Sequence, residues 1–394
     1  MSRSERKIIF TTLQDFNLTA GAGVNRLSSL AKGLGLITKN IKIWGLVPSK
    51  SLKLKKEYYE YSNLSLVTVK SRMASNFKNI IALSISSANL VLWLLLFARK
   101  KDIVINYQSK RKFWYVDGII LFISKIKKYT TVLEITEDVN VYTDDPEEVK
   151  IYEKHITNYD MCYVISSALF AYVSQFNKHV EIINMTVDYE RFSRSENKIQ
   201  KNINCGYIAY CGSINQHKDG VSDLIKALSL ISKKYPGIKL MLAGSYFLDY
   251  KNEMDKLISE YKLESKVEVT SYLSGDEIVT FLQNSVMAVL ARPSSPQADF
   301  GFPTKLGEYL ASGTPVIVTD ISDVSKVLEN EKEALIIPPD DYTALASAIE
   351  KILSQYDRYK EMGMNGKNAA QNVFNYKIQS AKLLKFLTEN AEHK

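Results

Sequence analysis

GFPTKLGEYLASGTPVIVTD, residues 301–320, runs a glycine-bearing loop, a short helix and the apolar strand 315–320 in direct succession. That order is one unit of a doubly wound α/β sheet. The strand is apolar almost throughout, as expected where both faces of a parallel sheet are covered. Glu308, in the middle of the helix, has a use there only if a polar partner comes to meet it.

Working outward, the same habit fills the chain. Strands are predicted at 7–12, 41–47, 65–70, 102–108, 131–136, 162–167 and 180–185, then at 207–212, 239–244, 266–273, 286–292 and 334–339. Helical stretches lie between many of them. A chain of 394 residues exceeds one ordinary core, so two Rossmann-like doubly wound domains are expected. Their predicted bounds are 1–192 and 205–375, joined by the polar linker 193–204. Residues 376–394 form a terminal helix free to pack back on the first domain.

Apolar residues at 46% and charged ones at 24% describe an ordinary globular chain. Cys162, Cys205 and Cys211 are too few and too scattered for a disulfide framework or a metal motif, which fits a reducing, cytoplasmic setting. MSRSERKIIF runs from basic residues straight into a strand and does not read as a signal peptide. His155, His179, His217 and His393 read as surface residues, and no pair has metal-ligand spacing.

The net charge of +8 hides a split: residues 1–130 carry 23 Lys/Arg against 6 Asp/Glu, leaving 28 against 37 for the rest. The first half is therefore expected to meet something anionic. Groove-reading motifs are absent, so nucleic acid ranks behind an anionic membrane surface or a phosphorylated substrate. Residues 79–98 lack charge and end at Arg99-Lys100-Lys101. They read first as a helix packed on the sheet, with an interfacial helix or a membrane span as alternatives. KRKFWYVDG, 110–118, followed by Lys125, Lys127 and Lys128, suits either a lipid headgroup layer or a solvated rim.

Ligands of doubly wound sheets bind beyond the carboxyl ends of the strands. Three such loops stand out. In the first, Gly21 and Gly23 allow close backbone approach before a helix from Val24, with Arg26 where a dinucleotide motif has its third glycine. The second has Gly212 and Ser213 closing a strand and Lys218 ahead of a helix near Asp219, a reasonable phosphate site. In the third, Gly301 relaxes the backbone, Pro303 presets the first helical turn and Thr304 offers a hydroxyl. Amides around Phe302 to Thr304 suit phosphate, and Glu308 follows one turn later to accept from sugar hydroxyls.

With these residues in place, GFPTKLGEYLASGTPVIVTD resembles the signature of the retaining family 4 glycosyltransferases (glycosyl transferases group 1), whose GT-B fold has two Rossmann-like domains facing across a cleft. GSINQHKDGVSDLIKAL resembles their donor-phosphate loop, and 163–192, 334–349 and 363–376 resemble further family segments. The resemblance implies a nucleotide-sugar donor held mainly by the second domain, with a glycan or polyprenyl-linked acceptor on the first. It places Glu308 on the ribose, Lys218 and the 302–304 amides on the diphosphate, and Ser271, Tyr272 and Leu273 under the base. Gly21 to Gly23 would close over the phosphates.

Two positions depart from the pattern. The first glutamate of the family's pair is replaced by Phe300, with Asp299 beside it, and Ser213 stands where a second phosphate cation is usual. Only one of the two phosphate cations is therefore present, unless Lys305 or Arg292 substitutes. Glu137, after the strand 131–136, is the acceptor-side candidate. The implied activity is metal-independent, retaining transfer from a nucleotide-sugar, UDP favoured over GDP, in bacterial surface polysaccharide or glycoconjugate synthesis at the inner face of the membrane. A non-catalytic glycosyltransferase-like subunit is the alternative; an epimerase is a weaker third.

Overall fold

The computed structural model describes residues 6–12, 22–46, 64–67, 76–107, 114–141, 143–194, 205–246 and 250–391. Gly21, residues 110–113 and most of the expected linker lie outside them. The chain divides into two compact units, 1–186 with 376–394, and 187–375.

The first unit is built on a seven-stranded parallel sheet in the order β3-β2-β1-β4-β5-β6-β7. Its strands are β1 (Ile8–Thr12), β2 (Ile41–Gly45), β3 (Leu64–Val67), β4 (Ile103–Tyr107), β5 (Thr130–Ile135), β6 (Met161–Val164) and β7 (Val180–Ile182). The second holds a six-stranded parallel sheet, β10-β9-β8-β11-β12-β13. Here β8 is Tyr207–Cys211, β9 Lys239–Ala243, β10 Val267–Thr270, β11 Met287–Leu290, β12 Val316–Thr319 and β13 Leu335–Ile337. In each sheet the strand order reverses beside the first strand, as in a doubly wound fold.

Every predicted strand is present, and the central ones, such as β1, β4, β11 and β12, are covered on both faces, whereas β10 is partly exposed. In the first unit, Ile8, Phe10, Ile103 and Ile105 pack with the helix Ala22–Ile37 and with Leu383 and Leu387 of the terminal helix Tyr376–Ala391. Their neighbours Ile9 and Val104 point the other way, against Leu90 and Leu94 of the helix Asn76–Phe97 and Ile120 and Ile123 of Trp114–Lys127. Residues 79–98 thus belong to a helix packed on the sheet. No helix among the described residues is long and apolar enough to cross a membrane, so the spanning alternative is set aside.

The crossover between units comes at 186/187, earlier than the predicted 192. Val187 donates its amide to Phe374 O, and Arg191 of the helix Tyr189–Arg194 donates to Gly275 O, drawing this segment into the second unit. His155 is buried rather than on the surface, because its Nε2 lies 3.3 Å from the buried Asp117 carboxylate and 3.4 Å from Tyr159 Oη.

Arg26 explains why no glycine stands at its position. Its guanidinium is buried, donating to Glu134 Oε1 at 2.7 Å, Asn184 O at 2.5 Å and Ile183 O at 2.6 Å. It ties the first helix to β5 and to the chain leaving β7.

Candidate functional site

In the second unit the strand order reverses between β8 and β11, and the loops leaving these two strands carry most of the expected residues. After β8, Gly212 donates its amide to Ala243 O. Asn215 then caps a four-residue helix, Gln216–Asp219, by accepting from the Lys218 amide at 2.7 Å. This helix begins earlier than the sequence indicated, and the Lys218 amide is committed to Asn215; what Lys218 offers outward is its exposed side chain.

Gly220 ends the short helix in the left-handed region, at φ 65°, before Val221–Ile231 begins. A Cβ there would lie 1.8 Å from the Ala291 carbonyl oxygen. Gly220→Ala should therefore destabilise the second unit by about 2 kcal/mol or more, since strain and a backbone clash add. Urea unfolding checks this; an unchanged midpoint would mean the loop can yield.

After β11, the helix Pro296–Phe300 leads to Gly301, Phe302 and Pro303, all buried. The next helix, Leu306–Ala311, starts three residues later than Pro303 led us to expect. Pro303 instead accepts from Leu306 N in the turn that precedes it. Among the described residues, the amides of Thr304, Lys305 and Gly307 donate to no protein group. They are the orphan donors of a helix start.

Tyr309 fixes this helix to the end of β8. Its buried hydroxyl accepts from Cys211 N at 2.7 Å and donates to Cys211 O, 3.1 Å away. The preceding residue, Glu308, is thereby held beside β8. Burial raises the Glu308 carboxyl above its ordinary range, opposed by Arg191 and Lys305. The Cys211 thiol is pushed up to about 12, first by burial and then by Glu308.

Lys305 reaches back to the same place. Its ammonium donates to Asp219 Oδ2 at 2.5 Å and to Tyr210 Oη at 3.2 Å. It lies so near Gly212 that a Cβ on that glycine would stand 2.0 Å from Nζ. Burial works against the charge on Asp219, but the Lys305 ammonium, the Tyr210 hydroxyl and Arg292 outweigh it and hold the carboxyl below its ordinary range. Of the two expected substitutes for the missing cation, Lys305 stands at the Gly212 loop, while Arg292 is buried.

Arg191 was missed in the sequence. Its guanidinium lies 3.5 Å from Glu308 Oε1 and donates to Gly275 O at 2.6 Å. It links Glu308 to the segment after β10, where Ser271, the exposed Tyr272 and Leu273 lead into the helix Gly275–Asn284. No spacing signal marks it, because both partners are remote in sequence. Asp299 is exposed and Phe300 half-buried at the end of their short helix. Phe302 packs on Phe374, ring centroids 5.9 Å apart.

The remaining expected residues belong to the first unit. Gly23 lies in the first turn of Ala22–Ile37 with its carbonyl taken by Tyr107 Oη at 2.6 Å. Glu137 is half-buried in the loop after β5. Among the described residues no group of three or more His, Cys, Asp or Glu is placed to hold a metal ion.

Phosphate-sized anions suit what converges at β8 and β11: two lysine side chains, orphan amides and a carboxylate one turn away. Residues 192–369 match the family model for Glycosyl transferases group 1. The chain is 27% identical over 198 residues to the capsular polysaccharide biosynthesis glycosyltransferase CapM of Staphylococcus aureus, covering 49% of this chain and 50% of that one. It thus spans about half the length of such a curated relative. Among solved structures, HepE of Anabaena in complex with UDP aligns with a TM-score of 0.72 at 14% identity, over 97% of this chain and 100% of that one. Sucrose-phosphate synthase from Thermosynechococcus elongatus aligns at 0.75 and 15%, over 99% and 100%. Residues 192–369 are thus similar to a glycosyl transferases group 1 domain, and the chain's two parallel-sheet units have the GT-B fold of these solved structures.

Proposed function

We propose that the chain is a retaining glycosyltransferase that moves a hexosyl or N-acetylhexosaminyl group from a nucleotide-diphosphate sugar to a glycan or lipid-linked acceptor in surface polysaccharide or glycoconjugate synthesis. The observation that carries this reading is the grouping of Glu308, Lys305 and the Gly212–Lys218 loop at the ends of β8 and β11. Lys218, Lys305 and the amides of Thr304, Lys305 and Gly307 meet the diphosphate. Glu308, oriented by Arg191, accepts from the ribose hydroxyls. Ser271 to Leu273 lie under the base.

In the reaction, the bond from the anomeric carbon to the β-phosphate oxygen breaks as the acceptor hydroxyl attacks from the same face. The departing phosphate takes the hydroxyl proton, giving the glycoside with retained configuration and a nucleoside diphosphate. Fixed amides and ammonium groups stabilise the charge growing on the leaving phosphate, so these steps need no metal ion. Glu137, in the first unit, orients the acceptor. A UDP-sugar is favoured over a GDP-sugar, supported by HepE having been solved with UDP and with UDP-glucose. The proposed workplace is the cytoplasmic face of a membrane, where lipid-linked acceptors are found.

Glu308→Ala should raise the donor KM and weaken nucleotide binding by about 10- to 100-fold, the worth of charged hydrogen bonds to the ribose. Thermal-shift titration with UDP, GDP and their sugars checks it. Unchanged donor affinity would remove Glu308 from the ribose. Failure of the purified wild-type chain to transfer or hydrolyse any nucleotide-sugar would favour the non-catalytic subunit.

A further inference from the structure

From Ile85 to Phe97 of the helix Asn76–Phe97, and from Tyr115 to Ile126 of Trp114–Lys127, the outward faces are mostly apolar where water-facing helices of a sheet protein are normally polar. Ile85, Leu92 and Leu96 on the first, and Ile119, Phe122 and Ile126 on the second, follow helical spacing and are 41–64% exposed. The opposite faces of both helices are spent on the core, through Leu90, Leu94, Ile120 and Ile123. The outer residues therefore cannot turn inward to hide. Both helices lie on one face of the sheet and return towards the starts of parallel strands, so their carboxyl ends come to the same edge.

Cations gather at that edge. Lys127 Nζ donates to Leu95 O at 2.8 Å, joining the two helix ends, and Lys7 Nζ donates to Phe97 O at 3.0 Å. Lys7 and Lys42 lie over the Trp93 ring, 5.0 and 5.7 Å from its centroid. Arg99, Lys100, Lys125 and Lys128 are exposed around them. The acidic residues of 76–107 and 114–131 are Asp102 and Asp117, and both are buried, 0% and 3% exposed. Asp102 accepts from the backbone of Lys7 and Arg99, and Asp117 faces His155.

We infer that this two-helix surface docks on an anionic lipid bilayer, with the apolar ridge at the acyl boundary and the lysine edge among the headgroups. A Trp ringed by ammonium groups beside exposed Leu, Ile and Phe is the chemistry of the membrane interface. Self-association through the same face would bring like charges together with no carboxylate to meet them. The inference deepens the membrane placement proposed above but stands on the first unit alone, so it can fail while the nucleotide site holds.

Co-flotation of the full chain with phosphatidylglycerol–phosphatidylcholine vesicles, against phosphatidylcholine alone, tests it at low and high salt. The wild type should float with the anionic vesicles and lose about tenfold in partitioning without phosphatidylglycerol or at high salt. Leu96→Ser with Phe122→Ser, and separately Lys100→Glu with Lys128→Glu, should each cut partitioning about tenfold while thermal unfolding and the UDP-induced thermal shift stay as in the wild type. A wild type that stays in the aqueous fraction overturns the inference. So does flotation of both double variants at the wild-type level, or a dimer in light scattering that the Leu96/Phe122 change abolishes without lipid being bound.

Discussion

Replacing Arg26 by Met should destabilise the first unit by about 3–5 kcal/mol, the cost of breaking one side of a buried ion pair. The change strands the buried Glu134 together with two carbonyls, the buried Ile183 O and the part-buried Asn184 O. Burial already pushes the Glu134 carboxyl up to about 7 against the pull of Arg26. Without the guanidinium it rises further. A carboxyl whose folded pKa lies above its unfolded one makes the fold less stable as pH climbs through that interval. The loss in Arg26→Met should therefore be small near the carboxylate's ordinary pKa and largest above neutrality. Urea titrations across pH measure it, and adding Glu134→Leu should recover much of the deficit. A loss independent of pH would mean that the lost carbonyl contacts, rather than the stranded carboxylate, dominate.

Lys218→Ala carries the second large effect. If its exposed ammonium meets the leaving diphosphate, removal should lower kcat/KM for transfer about 10²–10³-fold, as for loss of one preorganised donor at a developing oxyanion. Its backbone amide is already taken by Asn215 and stays so in the variant, so the loop should keep its shape. Thermal unfolding should hardly move while nucleotide affinity falls with turnover. Wild-type transfer rates would take Lys218 out of the site, and the charge would then rest on Lys305.

What the sequence disclosed divides along a physical line. Strands such as 103–107 and 316–319 were readable because they are buried on both faces, which leaves an apolar run in the sequence itself. Loops leaving β8 and β11 were readable because glycines and a proline punctuate them. Helix starts were less so: Pro303 marks a turn, and the helix proper waits until Leu306. Arg191 and Asp219 were invisible as partners, since a pair formed across folded elements leaves no periodicity. Arg26 was noticed only as a missing glycine, and its anchoring of two carbonyls needed the sheet in place. Residues 79–98 showed their lack of charge, but which flank the sheet would cover, and so which leucines stay outside, depended on the second helix beside them.

The terminal helix carries a consequence for how the polypeptide is made. Ser380 Oγ donates to Leu30 O across 350 residues, and an added Cβ on Gly33 would strike that serine at 2.2 Å. The first unit therefore lacks part of its core until residues 376–391 leave the ribosome, whereas 187–375 is a continuous stretch that can close earlier. On this arrangement the second unit is expected to close first, while the first waits, greasy and incomplete, for residues 376–391. A premature stop before 376 should consequently yield an insoluble product in which only residues 187–375 resist protease.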